Sequence, residues 1–411
     1  MSASGRKAVI AAAARVPQPD SSTERVPWVR PVFEADDALL GEIQRVLSSG
    51  RVTNDGPNVC DLERRLARYL EVDGCVAVSS GSMALLLAVR ALAFEGAKVV
   101  LPAFSYIATL NAVVHAGMSP VFCDVEPGTW TLSPTHLRRL LAADPTIRLI
   151  LAVNVFGVLP DLAAIQHAIE GSGAVLLLDN AHGFGTDRAG VRSVPEPVAQ
   201  AFSFHATKVL PAVEGGAVVA ADPRLLAEIR RLRNHGLAAD LLESMPGYNA
   251  KLSEIHAVVG RRSLDHVESA LARRRQYAMR LRRVLMEECA TTFTVQEIPE
   301  GMHSNFQNLA VLCPGGAAPT VAAVQAALER DGIETRRYFW PMLHQLPAYR
   351  GHFCLPVTED VGSRVLCLPL HSHMETAMLT RIEAAVRRVS REWTLRGSEM
   401  PVGSSAEGSR P

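Results

Sequence analysis

From about residue 40 to residue 265, short apolar runs alternate with longer segments whose apolar positions recur at helical spacing. That alternation predicts an α/β domain built on a largely parallel sheet. Seven runs, 75–78, 98–101, 120–124, 149–153, 174–179, 201–204 and 216–220, are read as strands. Their shortness and near-continuous apolarity suit strands buried on both faces. The segment 267–288 is rich in arginine and carries Leu271, Met279, Leu281 and Leu285 at helical spacing. It predicts a long helix bridging two domains, with its charge run forming a solvated face. Beyond it, a strand over 309–313, a helix over 320–331 and a Pro- and aromatic-rich stretch near 338–349 predict a smaller α+β domain. The expected division is a loose tail over 1–27, a large domain over 28–266, a small domain over 267–395 and a disordered tail over 396–411, the last lacking any apolar period.

The length of 411 residues fits two packed units better than one small core. Lys plus Arg and Asp plus Glu are equal at 42 each, so no global field draws the chain to nucleic acid or to an anionic membrane. Seven scattered cysteines form no C-x-x-C pair, which argues against a disulfide framework or a zinc site and fits a reducing cytoplasm. The longest apolar stretch, 99–122, is broken by Pro102, Ser105, Asn111 and His115, so it is read as buried core and not as a bilayer span. No metal is expected.

Three constellations carry chemistry. In SSGSMALLLAVRAL, Ser79, Ser80, Gly81 and Ser82 follow a short strand and open an apolar helix. Free backbone N–H groups and the positive dipole end there suit a phosphate, although such a turn also serves as an ordinary cap. In AVLLLDNAHGFGT, Asp179 ends an apolar strand, where ligands of open parallel sheets bind, and His182 follows. A buried carboxylate there can hold a pyridine nitrogen in its charged form, whereas the plainer role for Asp179 is a turn cap and for His182 a satisfied structural imidazole. In AFSFHATKVLPAVEGGAVV, Lys208 lies between two strands, with Ser203 just before it. A lysine partly removed from water there loses some preference for its charged form, and its neutral amine can condense with an aldehyde.

Taken together these residues resemble the DegT/DnrJ/EryC1/StrS sugar aminotransferases. The resemblance runs from about Arg51 to Pro369 through nine strings in register: TNDGP, SSGSMAL, LPAFSYIATLNAVVHAGMSPVFCDV, DNAHGFGT, SFHATK, EGG, RNHG, GYNAKLSEIHAVVG and PMLHQLPAY. It implies the fold of aspartate aminotransferase, that is, the pyridoxal-phosphate-dependent transferase fold type I, with a mostly parallel seven-stranded sheet and a smaller C-terminal domain. Pyridoxal 5'-phosphate is the implied cofactor, with Lys208 holding it, Asp179 on its pyridinium, Tyr106 stacked on its ring and His182 near its hydroxyl. Gly81, Ser82 and Ser203 would hold its phosphate, and Asn249 would reach the phosphate of a neighbouring subunit, which implies a homodimer with shared active sites. Thr53, Asn54 and His344 match positions lining the substrate cleft.

Two departures stand out: many members carry Gln where this chain has His182, and many carry His where it has Asn154. His182 with SFHATK is most similar to the branch that makes viosamine, aminating C4 of nucleotide-linked 4-keto-6-deoxy sugars with glutamate as donor. The alternatives are a 3-keto sugar or an inosose as acceptor, or a non-catalytic regulatory member. A 3-dehydratase is disfavoured, because in that branch a His replaces Lys208.

Overall fold

The computed structural model describes residues 25–33, 36–92, 96–192, 197–238, 240–315, 320–349, 351 and 353–398. The tails expected over 1–27 and 396–411 therefore lie outside the described residues except at 25–27 and 396–398. Twelve strands occur among these residues: β1 (Gly74–Val78), β2 (Lys98–Pro102), β3 (Ser119–Cys123), β4 (Ile147–Val153), β5 (Val175–Asp179), β6 (Asp187–Arg188), β7 (Ala199–Ser203), β8 (Gly216–Ala220), β9 (Thr294–Val295), β10 (Met302–His303), β11 (Leu309–Leu312) and β12 (Val365–Leu368).

All seven expected strands form one sheet in the order β1-β8-β7-β5-β4-β2-β3. Only β8 runs against its neighbours, pairing antiparallel with β1 and β7. The core residues of β4, β5, β7 and β8 are buried throughout because helices cover both faces. β7 begins two residues earlier than its apolar run indicates, since its second residue is Gln200. That amide is buried, and its oxygen accepts from Asn180 Nδ2 at 3.0 Å, which lets a polar residue sit in a central strand.

The long arginine-rich helix forms as Val267–Glu287. Val267 and Leu271 pack into the core beneath the large sheet, whereas Ala278, Leu281, Val284 and Leu285 pack into a separate core with β11, β12 and the helices Val321–Arg330 and Thr376–Ser398. The charge run is not wholly solvated, which corrects the sequence reading. Arg274 is buried, and its guanidinium donates to the carbonyls of Asn305, Phe306 and Gln307 at 3.3, 2.6 and 2.8 Å. A buried guanidinium satisfied in this way ties the helix to the chain that enters β11.

Candidate active site

The helix Gly81–Leu92 starts immediately beyond β1, and its first residue must lack a side chain. A Cβ on Gly81 would lie 2.5 Å from Ser203 Cβ, and one on Gly216 would lie 2.5 Å from the Ser80 carbonyl oxygen. These two glycines let the helix start wedge against the adjoining ends of β7 and β8. Ser80 Oγ caps the turn by accepting from Met83 N at 3.2 Å. The first N–H groups of a helix have no intrahelical acceptor, so those of Gly81 and Ser82 remain for an anion beside Ser203 Oγ.

Asp179, the last residue of β5, is 4 % exposed. The hydroxyl of Thr109 donates to its Oδ2 at 2.8 Å, and the N–H of Ala181 donates to its Oδ1 at 3.1 Å. Burial raises its pKa, opposed by those two donors and by the charge of Lys208. Burial likewise lowers Lys208 to about 8, opposed by the charge of Asp179. Each group is pushed toward neutrality by loss of water, and each restrains the other. The lysine's segment is held by Lys208 N donating to His205 O at 2.9 Å and by Gln307 Nε2 donating to Thr207 O at 3.0 Å.

His182 packs in a three-ring cluster, with Phe156 at 5.9 Å and Phe339 at 5.8 Å, both nearly parallel to it, and the two phenyl rings themselves 5.2 Å apart. Burial and the charge of Lys208 push its pKa well below the ordinary value. Its Nδ1 accepts from Phe156 N at 3.4 Å, which places the ring proton of the neutral imidazole on Nε2. Tyr106 precedes the helix Ile107–His115 and is 53 % exposed, with its ring 6.4 Å from that of Tyr338.

One cavity of about 530 Å³ is lined by Gly81, Ser82, Tyr106, Asp179, His182, Ser203 and Lys208 together. Four expected site residues do not line it. Thr53 and Asn54 sit in the turn before the helix Pro57–Leu70, which Glu254 anchors by accepting from the N–H groups of Asn58 and Val59. Asn249 is exposed, and its Oδ1 accepts from Lys251 Nζ at 2.8 Å. His344 is buried beside Phe122 and Phe353, with Nε2 3.4 Å from Glu359.

The sequence reading missed Thr109, although a lone hydroxyl inside the apolar run IATLNAVV was a signal for it. It also missed Gln307, Asn308, Tyr338 and Phe339, which close the cavity from the C-terminal part of the chain and carry no motif of their own. Among the described residues, no helix is long and apolar enough to cross a membrane.

The donor set suits a planar, phosphate-bearing aldehyde. The cavity has a lysine amine lowered toward neutrality, a buried carboxylate, an exposed aromatic ring and a helix start packed against a serine. Fold and cavity together define a pyridoxal-phosphate transferase of the α/β class. The sequence profile of the DegT/DnrJ/EryC1/StrS aminotransferase family matches residues 34–387, and the chain belongs to that family. The chain is similar to protein Rv3402c of Mycobacterium tuberculosis, at 32 % identity over 90 % of this chain and 92 % of the relative. It is also similar to the dTDP-4-amino-4,6-dideoxy-D-glucose transaminase of Escherichia coli, at 26 % identity over 87 % and 96 % of the two chains. Among solved structures, DesI in the presence of its TDP-sugar product is similar with a TM-score of 0.84 and 31 % identity, over 93 % of this chain and 97 % of DesI. Members of the family are pyridoxal-phosphate-dependent aminotransferases that act on nucleotide sugars with an amino donor.

Proposed function

We propose that this aminotransferase converts a dTDP-linked 4-keto-6-deoxyhexose to the 4-amino-4,6-dideoxy sugar, with glutamate as amino donor. The observation that carries the reading is the convergence of Lys208, Asp179, Ser203 and the Gly81–Ser82 helix start on one cavity. The names of the Escherichia coli transaminase and of DesI's product support a thymidine-diphosphate sugar with nitrogen at C4. When bound, the cofactor supplies a protonated pyridine ring that takes up the electron pair released as the donor's amino-bearing carbon loses its proton.

The chain's own residues set the conditions for that chemistry. Asp179, fixed by Thr109 and the Ala181 N–H, favours the protonated ring nitrogen. Lys208 Nζ would hold the cofactor and, when free, would take and return the proton of the donor's amino-bearing carbon, a task suited to an amine lowered to about 8. The N–H groups of Gly81 and Ser82 and the hydroxyl of Ser203 would hold the phosphate, and Tyr106 would cover one ring face. His182, kept neutral by burial and by the charge of Lys208, would lie near the ring hydroxyl.

Asn249 is assigned to the phosphate of a second copy, so the working form is a homodimer. Thr53, Asn54 and His344 are assigned to the sugar cleft on the family resemblance. The large part, 28–266, then carries the cofactor and the small part, 267–395, closes over it. The test is to incubate cofactor-loaded protein with glutamate and a panel of thymidine-diphosphate keto sugars, reading products by mass spectrometry and NMR. A 4-amino-4,6-dideoxyhexose from the wild type and none from Lys208→Ala is the expected result. A bound-cofactor spectrum without turnover of any panel sugar would overturn the sugar assignment and leave the cofactor assignment standing.

A further inference from the structure

A second, smaller cavity of about 80 Å³ shares Thr207 and Lys208 with the catalytic one. Its walls come from residues 29–33, the helices Glu254–Asp265 and Val267–Glu287, and residues 371–373. The described walls carry Arg30, Arg262, Arg273 and Arg274 with three imidazoles, and no carboxylate. Arg262 is paired with Asp36. Arg274 donates only to main-chain carbonyls, so no carboxylate neutralises its charge. Arg30 and Arg273 are exposed and meet the same cavity from either side of it in the chain.

His371 supplies an independent sign of a ligand. It is 2 % exposed, and neither ring nitrogen has a hydrogen-bond partner. Buried polar side chains are ordinarily satisfied by protein or by a bound molecule. Burial and the charges of Arg274, His373 and Arg30 lower its pKa to about 4. At neutral pH the ring is therefore uncharged and keeps one N–H to donate, while the positive charge around it belongs to the arginines.

We propose that this cavity is a second binding site, for a small oxyanion bearing a phosphate or carboxylate group, held by Arg30 and Arg273 with His371 donating from the buried wall. Guanidinium groups match such anions through paired N–H donors, and the small volume excludes a nucleotide sugar. The proposal is independent of which sugar the catalytic cavity takes. Because Thr207 and Lys208 wall both cavities, the anion adds negative charge beside the proposed cofactor lysine.

The experiment is isothermal titration calorimetry of inorganic phosphate into the cofactor-loaded enzyme, whose catalytic phosphate cradle is already filled. One equivalent should bind to the wild type. The double variant Arg30→Gln, Arg273→Gln changes only exposed residues and should weaken binding about tenfold or more. His371→Phe, checked for native circular dichroism, should weaken it likewise, whereas Arg283→Gln, exposed on the same long helix but outside the cavity, should bind as the wild type. Glutarate, a dicarboxylate without an amino group to react, separates the two sources. Displacement of phosphate by glutarate assigns the site to carboxylates, and its failure assigns the site to phosphate. Absence of binding by both anions to the wild type, or binding that survives both the double variant and a folded His371→Phe, would overturn the proposal.

Discussion

The two walls of the catalytic cavity are built differently. One wall is the carboxyl edge of the large sheet, where Asp179 and Ser203 end β5 and β7 and Lys208 follows β7 by a short turn. There, ladder hydrogen bonds set the backbone and donors such as Thr109 set the side chains. The opposite wall comes from the C-terminal part, through Gln307, Asn308, Tyr338 and Phe339. Its Gln307 end is held by hydrogen bonds to Arg274 and Thr207, and its aromatic end by ring packing, with Phe339 stacked 5.2 Å from Phe156 and 5.8 Å from His182. Charge chemistry sits on the rigid wall and shape on the packed one, as expected if proton transfer tolerates less misplacement than enclosure. Substitutions on the first wall should therefore cost far more than substitutions on the second.

The sharpest test of that contrast is Asp179→Asn, which keeps shape and removes charge. Loss of the anion at the ring nitrogen should lower kcat by about 10²–10³-fold, comparable to removing one preorganised electrostatic contact in other enzymes. The same change should act on Lys208 in the opposite sense. Asp179 is the charge that opposes the burial-driven lowering of Lys208, so without it the amine falls further below about 8. More of the lysine is then neutral at pH 7, and the cofactor-free variant should capture the cofactor with a midpoint at lower pH than the wild type. Stopped-flow absorbance across pH 6 to 10 reads this midpoint. A variant that lost turnover but kept the wild-type midpoint would show that the two groups do not communicate.

The rigid wall was also the legible one. Asp179, Ser203 and Lys208 lie at or just past the ends of apolar runs, and Gly81 opens a helix directly after one, so periodicity alone brings them to the same edge. Thr109 escaped because its partner lies 70 residues away in the chain. The packed wall was not legible, because Phe339 and Tyr338 read only as members of an aromatic-rich stretch. The meeting of Phe339 with His182 and of Tyr338 with Tyr106 depends on how β11 and β12 dock, which no local pattern records. The short strands β6, β9 and β10 span two residues each and leave no period to detect. The burial of Arg274 was hidden for a similar reason, since its acceptors are carbonyls and carbonyls have no sequence signature.

A smaller but still marked effect is expected for Gly81→Ala. The added methyl would lie 2.5 Å from Ser203 Cβ, a contact that forces the helix start away from β7. Overpacking of this kind costs about 1–3 kcal/mol, and here it opens the phosphate cradle. Cofactor affinity, measured by fluorescence titration of the cofactor-free protein, should fall by a corresponding factor while kcat at saturating cofactor stays near the wild-type value. A Gly81→Ala protein with unchanged affinity would remove the helix start from the cofactor site.

The smallest effect belongs to the packed wall. Phe339→Leu keeps an apolar side chain but ends the stack on His182, which is worth about 0.5–1.5 kcal/mol. A few-fold loss of kcat/KM is expected, against the hundredfold or greater loss at Asp179. The pH dependence of stability gives a second reading. His182 is held well below 6.5 in the folded chain, so as pH falls through that value the unfolded chain binds a proton that the folded chain refuses. Stability therefore falls on the acid side of about 6.5. Loosening the aromatic cluster beside His182 admits water, raises the His182 pKa toward its ordinary value and makes that fall shallower. Urea denaturation at pH 5 and pH 7 for wild type and variant measures the difference, and an equally steep fall in Phe339→Leu would mean that Phe339 shapes the cavity without controlling the charge state of His182.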